Sequence, residues 1–489
     1  MAVIFDNEKY IKLQKEAILK RAENFHKLYI EIGGKLFDDM HASRVLPGFD
    51  PQNKIKILMS LKDEAEIVIA INSNDIKNRK IRSDLNITYD VEVERLIREF
   101  KKLGMNVNSV VFSFYEPNEE VDKFIRKLEH GKIKTYKHYK IAGYPQDTSL
   151  IVSKDGLGKN EYIKTTKNIV LVTAPGPGSG KMATCLSQLY HDKKNGIISG
   201  YAKYETFPVW NLGLNHPVNV AYEAATIDLN DVNMIDPYHL DAYGVSSVNY
   251  NRDIDVFPLL RNIFTSISGN CIYKSPTDMG INMVGFAIAD NEAVEKASKE
   301  EIIRRYYETK KDVLLGKLED CCVTKCEILM NRLNIDSSSR EVIKIANDKA
   351  DLTGVPAIAI KLHNGQIITG KRSKLLSQTA ALLLNALKTL ANINDELPLL
   401  SPSVIEPITS LKVNSLKQES PQIHGEEILI ALAIQANSNP LAELALKKLV
   451  ELNGCEAHAS CILNTNDLRL FKRIGVRMTE EAKNYIIKK

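Results

Sequence analysis

Apolar runs alternate with amphipathic, charged stretches through the first two hundred residues of the chain. The apolar positions of residues 10–28 recur with helical spacing, which predicts an amphipathic helix. Short runs rich in β-branched and aromatic residues predict strands, at residues 29–34, 67–72, 109–114, 134–139, 169–174 and 196–202. Because repeated alternation of strand and helix is typical of a parallel sheet covered on both faces, we predict an α/β domain that is mostly parallel and doubly wound, Rossmann-like or P-loop-like.

The pattern changes in the second half of the chain. Residues 290–333 are charged and helical, which predicts a helical bridge. After residue 337 the apolar runs shorten, and Asn364-Gly365 between two of them is a strong hairpin signal. Helices are predicted over residues 374–390 and 426–452, and a strand near residues 457–463. We therefore predict an α/β domain at residues 1–288, a bridge at 289–336 and a smaller α/β C-terminal domain at 337–489.

Composition narrows the classes of protein that the chain can belong to. With 65 Lys+Arg against 61 Asp+Glu, the formal charge of +4 indicates no nucleic-acid or membrane partner. The N-terminus lacks the basic and apolar regions of a signal peptide, and no apolar stretch is long enough to span a membrane. Seven scattered cysteines fit reduced thiols better than a disulfide framework. These features predict a cytoplasmic protein.

The strongest functional signal is a glycine-rich turn between the predicted strand at residues 169–174 and a helix. Gly176, Gly178 and Gly180 precede Lys181, and the apolar residues that follow fall on one helix face. Closely spaced glycines let backbone amides approach an anion, while the helix N-terminus and a lysine supply positive charge. We therefore predict that this loop binds phosphate; the alternative is a tight strand-to-helix turn whose glycines only satisfy backbone geometry.

The loop departs from the nucleotide-binding P-loop pattern G-x-x-x-x-G-K-[ST]. Pro175 stands at the position of the first glycine, and Met182 stands where a hydroxyl would hold Mg²⁺. Ser179 and Thr184 are the nearest hydroxyl side chains. An ATP-like nucleotide with Mg²⁺ is therefore a narrower alternative to phosphate binding in general.

The string TAPGPGSGKMATCLSQLYHD at residues 173–192 resembles an uncharacterised bacterial family, known as a domain of unknown function. The resemblance extends to residues 41–49, 216–226, 273–280 and 380–388 and covers the chain end to end. Some members carry the label ATP-dependent zinc protease. None of the ten histidines here forms H-E-x-x-H or H-x-x-E-H, so we expect neither zinc nor protease activity.

Further candidates come from loops expected near the glycine-rich turn. Asp228, Asp231 and Asp236 offer carboxylates that a phosphoryl-transfer site needs as metal ligands or as a base, although Asp often only caps and turns a loop. His216 is a candidate acid–base group, with simple packing as its alternative. A second group consists of charged residues that are candidates for the phosphate site: Lys203, Arg252, Lys274 and Asp278.

Two classes of function follow from these features. The first is an enzyme that binds a nucleotide or phosphorylated metabolite at the loop and transfers a phosphoryl group or hydrolyses a nucleotide. The second is a non-catalytic protein that senses a phosphorylated ligand, with the C-terminal domain mediating assembly, for example as a homo-oligomer. Met182 favours the second class and the three aspartates favour the first.

Overall fold

The computed structural model describes residues 3–34, 36–37, 39–82 and 85–483. It divides the chain into two compact units, Met1–Ser298 and Lys299–Lys489. The helices and strands of the first unit are α1 (Asn7–Ala22), β1 (Lys27–Ile32), α2 (Met40–Val45), α3 (Asn53–Met59), β2 (Ala65–Asn72), α4 (Ser73–Lys77), β3 (Ile81–Arg82), β4 (Ile87–Thr88), α5 (Tyr89–Lys102), β5 (Val107–Ser113), α6 (Glu119–His130), β6 (Lys134–Lys137), α7 (Thr148–Ile151), β7 (Ile169–Thr173), α8 (Lys181–Lys194), β8 (Ser199–Tyr204), α9 (Pro217–Ala225), β9 (Asn233–Ile235), α10 (Pro237–Tyr243), β10 (Val248–Tyr250), α11 (Asn251–Ser268), α12 (Pro276–Met279) and β11 (Gly280–Ile281).

The first unit is built on a seven-stranded sheet in the order β11-β8-β1-β7-β2-β5-β6, and every pair of neighbours is parallel. Successive residues of β7 point to opposite faces of the sheet. Val170 and Val172 join a core with Leu186 of α8 and Phe257 of α11, while Leu171 between them is also buried. The predicted parallel, doubly wound α/β class is confirmed.

The strand order creates a crevice at the carboxyl edge of the sheet. From β1 the chain crosses to β2 on one side of β7, whereas from β7 it crosses to β8 on the opposite side of β1. Right-handed crossovers that run in opposite directions lie on opposite faces of a sheet. The loops after β1 and β7 therefore separate, and this is the position where doubly wound sheets bind ligands.

The second unit has a separate, smaller sheet in the order β13-β12-β14-β15, in which only β14 and β15 are parallel. Asn364-Gly365 lies in the connection between β12 and β13, as its hairpin signal predicts, and Gly365 has a positive φ of 87°. The elements of this unit, after helix α13 (Asn291–Leu314), which contains the division, are α14 (Cys321–Arg332), α15 (Glu341–Thr353), β12 (Ala357–Lys361), β13 (Ile367–Lys371), α16 (Gln378–Leu390), α17 (Pro402–Ser410), a π-helical turn (Leu411–Ser415), α18 (Gly425–Gln435), α19 (Pro440–Lys447), β14 (Glu456–Ala459), α20 (Thr465–Arg473) and β15 (Arg477–Glu480).

Element boundaries differ from the predicted ones where a helix is broken locally. The helix predicted over residues 10–28 ends at Ala22, because the following segment enters β1 at Lys27. The helix predicted over residues 426–452 is divided in two, since Asn439 caps a new helix with Pro440 in its first turn. Within the described residues, we find no helix long and apolar enough to cross a membrane.

Candidate functional site

A pocket of about 570 Å³ lies in the crevice at the carboxyl edge of the parallel sheet. Its residues come from the loops after β1, β7 and β8 and from the segments around α5, α9 and α11. The described residues that line it are Glu31, Ile32, Gly33, Gly34, Leu36, Phe37, Ile81, Arg82, Tyr89, Leu96, Tyr144, Ala174, Pro175, Gly176, Pro177, Gly178, Lys181, Met182, Lys203, Glu205, Tyr222, Leu229, Asp231, Tyr250, Arg252, Asp253 and Val256. The glycine-rich loop therefore forms one wall of a pocket, as its position after a parallel strand predicts.

The glycine loop, residues 174–180, needs glycine at three positions for two different reasons. Gly178 and Gly180 have φ values of +74° and +83°, in the left-handed region that favours glycine. Gly176 is required by close packing, because a Cβ atom there would lie 2.2 Å from the hydroxyl oxygen of Tyr89. A Cβ atom on Gly180 would also lie 2.6 Å from Cβ of Ser113. The backbone path of the loop thus depends on all three glycines.

Hydrogen bonds behind the glycine loop hold it in place. Ser179 Oγ donates to the Gly176 carbonyl at 2.8 Å, and Ser113 Oγ donates to the Ser179 carbonyl at 2.9 Å. Thr184 Oγ1 donates to the Gly180 carbonyl at 3.0 Å, one helical turn back. The pocket lining does not include Ser179, Gly180 or Thr184. These residues support the loop from the side that faces the protein interior.

The first turn of α8 presents amide groups whose hydrogen-bonding capacity the helix cannot use. A helix leaves its first N–H groups without intrahelical acceptors. In the described part of the chain, the amides of Lys181, Met182 and Ala183 donate to no backbone or side-chain acceptor. The side chain of Lys181, 14% exposed, lines the pocket beside them. This end of α8 combines free donors, the positive end of a helix dipole and a full positive charge.

A group of paired charges, which we call the charged floor, lies beside the glycine loop and consists of Glu31, Lys203, Glu205 and Asp253. Glu31 and Lys203 are direct register partners on β1 and β8. Lys203 Nζ lies 2.5 Å from Asp253 Oδ2 and 3.3 Å from Glu205 Oε1. Lys181 Nζ lies 3.7 Å from Glu31 Oε1, which connects the floor to the glycine loop.

Burial and interactions among its side chains shift the pKa values of two residues of the charged floor, Glu205 and Lys203. Burial raises the pKa of Glu205 above its ordinary value of 4.5; the Asp253 and Glu31 carboxylates add to this shift, and Lys203 opposes it. Burial alone lowers the pKa of Lys203, but attraction to the three carboxylates outweighs it, so the net shift is upward. Lys203 is therefore held as an ammonium, whereas Glu205 takes up a proton more readily than an ordinary glutamate.

The pocket lining also includes a further ion pair and two tyrosine rings. Arg252 Nη1 lies 3.4 Å from Asp231 Oδ1, and burial raises the pKa of Asp231 against the attraction of Arg252. Tyr222 stacks on Phe207 with ring centroids 5.0 Å apart, and Tyr250 packs against it at 5.8 Å. These contacts fix two aromatic side chains at the border of the pocket.

The structure places several of the predicted residues away from the pocket lining. Asp228 is exposed in a 3₁₀ turn, and only its neighbour Leu229 lines the pocket. Asp236 is fully buried and caps α10 by accepting from the His239 amide at 3.1 Å. Asp236 also accepts from the Thr277 hydroxyl at 2.7 Å. Of the three candidate aspartates, Asp231 alone contributes to the lining, so the alternative reading of Asp as a cap describes Asp236 well.

Local hydrogen bonds engage three other predicted residues, His216, Lys274 and Asp278. His216 caps α9 by accepting from the Val218 amide at 3.3 Å. Asp278 completes a capping box at α12 and accepts from the Lys274 amide at 2.8 Å. None of these three residues is among the lining residues that the structure describes.

Three lining carboxylates, Glu31, Glu205 and Asp253, were not predicted. Glu31 is the only acidic residue of β1 and lies near its carboxyl end, and Glu205 directly follows the end of β8. Both positions are signals that sequence reasoning could have used, because charged residues at the carboxyl ends of parallel strands lie near the ligand crevice. In the described ranges, no group of three or more His, Cys, Asp or Glu residues has the arrangement of a metal site.

Together these features define a two-unit α/β protein with a charged pocket at the carboxyl edge of a parallel sheet. Residues 3–334 match the family described as Domain of unknown function DUF1846, N-terminal, and residues 338–486 match Domain of unknown function DUF1846, C-terminal. The chain belongs to this family, which confirms the predicted resemblance. The function of the family is unknown.

Streptococcal relatives match the chain over nearly its whole length. A UPF0371 protein of Streptococcus equi subsp. zooepidemicus (strain H70) is 54% identical over 478 residues, which cover 98% of this chain and 96% of the relative. A UPF0371 protein of Streptococcus pneumoniae serotype 4 (strain ATCC BAA-334 / TIGR4) is 53% identical over 476 residues, which cover 97% and 96%. Both units are therefore shared with these relatives.

Proposed function

We propose that the protein binds a phosphorylated small molecule, a nucleotide or a phosphorylated metabolite, in the pocket at the carboxyl edge of its parallel sheet. The observation that carries the proposal is the first turn of α8. Among the described residues, its first three amides have no acceptor, and the contact that Lys181 makes with Glu31 is long, at 3.7 Å. Both lie at the pocket wall that the glycine loop forms. An anion placed there gains hydrogen bonds and charge neutralisation together.

The contact between Lys181 and Glu31 suits a lysine that exchanges partners. At 3.7 Å the Nζ–Oε1 distance is longer than that of a charge-assisted hydrogen bond. Glu31 is separately engaged, because it accepts a hydrogen bond from the Tyr201 hydroxyl at 2.8 Å. Lys181 can therefore turn towards a phosphate while Glu31 keeps a partner.

The residues present do not fit the Mg²⁺ site of a conventional P-loop. Met182 occupies the hydroxyl position, and the nearby Ser179 and Thr184 hydroxyls donate to carbonyl groups of the loop itself. The proposal therefore assigns Mg²⁺ no protein ligand, and an ATP-like nucleotide with Mg²⁺ is its less favoured form. All seven cysteines are free thiols, which supports the location of the protein in a reducing compartment such as the cytoplasm.

Phosphoryl transfer is the second candidate function, and one observation favours it. Asp231 and Glu205 both line the pocket, and burial raises the pKa of each carboxyl group. A carboxyl with a raised pKa suits general acid–base chemistry. Release of inorganic phosphate from ATP by the wild type, abolished in Asp231→Asn, is the result expected for this candidate.

A thermal-shift titration tests phosphate binding in general. Wild type, Lys181→Ala and the control Lys193→Ala, an exposed lysine at the other end of α8, are each titrated with inorganic phosphate, AMP and ATP, with and without Mg²⁺. A ligand at a hundredfold excess over its dissociation constant adds about 2.7 kcal/mol to the free energy of unfolding. We expect a rise in melting temperature for wild type and Lys193→Ala only. Equal stabilisation of Lys181→Ala contradicts the proposal.

A further inference from the structure

The charged floor shows which kind of group must accompany the phosphate. Its three carboxylates, from Glu31, Glu205 and Asp253, surround a single lysine, Lys203. A phosphate placed among three carboxylates would be repelled, so the phosphate and the group that meets the floor must be different parts of the ligand. The glycine loop and the floor meet at the Lys181–Glu31 contact, which puts these two parts close together.

The chemistry of the floor excludes three kinds of group and favours a fourth. An apolar group would desolvate paired charges without compensation. An ammonium group would compete with Lys203, which already pairs with Asp253 and Glu205, and a further anion would meet the carboxylates. A hydroxyl is neutral, donates to a carboxylate and accepts from an ammonium. Several adjacent hydroxyls can therefore hydrogen-bond to the floor without adding charge to it.

Exposure indicates which member of the floor a ligand reaches first. The side chain of Glu205 is 26% exposed, compared with 8% each for Lys203 and Asp253. Gly33 permits this position, because a Cβ atom there would lie 2.5 Å from Cγ of Glu205. Glu205 thus lies across the end of β1, in the pocket, with its carboxylate already oriented by Lys203.

The tyrosine wall supplies a surface for the ring that carries such hydroxyls. Tyr222 and Tyr250 line the pocket, and the stacking of Tyr222 on Phe207 fixes the orientation of its ring. Ligand pockets typically pair apolar or aromatic walls with a few placed polar groups. A sugar ring has hydroxyls at its edge and C–H groups on its faces, which matches the floor and the wall respectively.

We propose that the ligand is a monosaccharide phosphate, with its phosphate at the glycine loop and its hydroxyls bound to Glu205, Asp253 and Lys203. This inference rests on the proposed function, since it assigns the phosphate to the same loop. It goes beyond that function by naming the class of phosphate ester that the pocket prefers.

Calorimetric titrations of the full chain test the inference with probes that share a phosphate monoester. The probes are ethyl phosphate, AMP, ribose 5-phosphate, glucose 6-phosphate and fructose 6-phosphate. We expect at least one sugar phosphate to bind wild type about tenfold or more tightly than ethyl phosphate and AMP, because each hydrogen bond to a charged group contributes about tenfold or more. Equal affinity for ethyl phosphate and all the sugar phosphates, or tightest binding of AMP, overturns the inference.

Variants identify the residues that contact each part of the ligand. Glu205→Gln is expected to lower the affinity for the tightest-binding sugar phosphate about tenfold and to leave the affinity for ethyl phosphate unchanged, since only the sugar contacts the floor. Tyr222→Leu provides an independent test of the wall and should show the same selectivity. Glu99→Gln, at a partly exposed residue on α5 outside the pocket lining, is the matched control and should bind every probe as wild type does. Unchanged sugar-phosphate affinity in both Glu205→Gln and Tyr222→Leu overturns the inference.

The design separates failure of this inference from failure of phosphate binding. Ethyl phosphate that binds wild type but not Lys181→Ala supports the glycine loop as a phosphate site, whatever the sugars do. If the sugar phosphates then bind no more tightly, the sugar assignment alone is overturned. If no phosphate compound binds wild type, both proposals are contradicted.

Discussion

Both units of the protein bury charged side chains, and among the described residues those of the charged floor in the first unit border an open pocket. In the first unit Lys203 is 8% exposed and pairs with Asp253 beside a pocket of about 570 Å³. In the second unit Arg340 is 3% exposed and donates to Glu456 Oε2 at 2.6 Å and to the carbonyls of Ala457 and Arg477. Buried charge therefore does not identify a functional site by itself. A site also requires space beside the charge for a ligand.

Removal of Arg340 should give the largest effect on stability. Arg340→Ala removes one donor from Glu456 and one from each of two strand carbonyls, although Arg477 still donates to Glu456. Breaking a buried ion pair costs about 3–5 kcal/mol, so a loss near the lower end of that range is expected. Urea unfolding followed by pulse labelling of thiols measures this, because the buried thiols of Cys455 and Cys461 report on the second unit. We expect no change in phosphate affinity.

The control for Arg340 is Lys344→Ala, which breaks an exposed i,i+4 pair with Asp348. Such pairs contribute about 0.5 kcal/mol or less. A loss in Arg340→Ala as small as that in the control, or a parallel loss of phosphate affinity, would remove the distinction between the two groups of buried charge.

The His458–Glu481 pair of the second unit and Glu205 of the first should change stability with pH in opposite directions. Hydrogen bonding to His458 lowers the pKa of Glu481 to about 2, and burial lowers the pKa of His458 below its ordinary 6.5. In both cases the unfolded chain binds protons first as pH falls, so the second unit loses stability below pH 6.5 and further between pH 4.5 and 2. The Glu481 contribution is roughly 2 kcal/mol after allowance for solvent exposure.

The contribution of Glu205 to stability changes with pH in the opposite direction, because burial raises the pKa of its carboxyl group. The unfolded chain ionises first as pH rises above 4.5, so the contribution of Glu205 to stability is lost as pH rises through its folded pKa. Urea unfolding at several pH values, with a labelling pulse at a fixed pH, separates Cys185 in the first unit from Cys455 in the second. Glu205→Gln should remove this slope for Cys185 only. An unchanged slope argues against the assignment.

Asp236→Ala tests whether a buried carboxylate near the pocket is structural. Loss of the α10 cap and of the bonds from Thr277 should lower the free energy of unfolding of the first unit by about 2 kcal/mol. Trp210, the only tryptophan, provides the fluorescence signal for this unit. Phosphate affinity should equal that of wild type. A large loss of phosphate affinity in an Asp236→Ala variant that still folds would show that Asp236 contributes to the binding site.

Gly180→Ala should give a smaller loss of stability but a large loss of binding. The left-handed backbone at residue 180 costs about 1–2 kcal/mol for alanine, and the new Cβ meets Ser113 at 2.6 Å. Gly196→Ala is the matched control, since its φ of +74° is similar and a Cβ there meets nothing within 4 Å. Calorimetry with inorganic phosphate should detect weaker binding in Gly180→Ala alone; equal affinities would show that the loop path is unimportant.

The fold and the glycine loop could be predicted because their signals are local. The apolar run of β7, the three glycines and Lys181 are adjacent in the chain, and each reports on the backbone directly. The hairpin at Asn364-Gly365 was predictable for the same reason.

Of the four residues of the charged floor, only Lys203 was predicted as a site residue, because parallel pairing assembles the floor from segments that are distant in the chain. Glu31 and Lys203 face each other across β1 and β8 although 172 positions separate them, and Asp253 arrives on α11. In the sequence, Asp228 and Asp236 could not be distinguished from Asp231. An Asp that caps a helix and an Asp that lines a pocket both occur in polar loop segments.

The central claim is that phosphate binds at the glycine loop and the first turn of α8, and hydrogen exchange tests it most directly. The amides of Lys181, Met182 and Ala183 have no acceptor in the described chain, so a bound phosphate should protect them. Peptide-resolved exchange is compared with and without saturating glucose 6-phosphate or ethyl phosphate. We predict increased protection in the peptide spanning residues 174–184, and none there in Lys181→Ala. Saturation without protection of this peptide in the wild type would contradict the account.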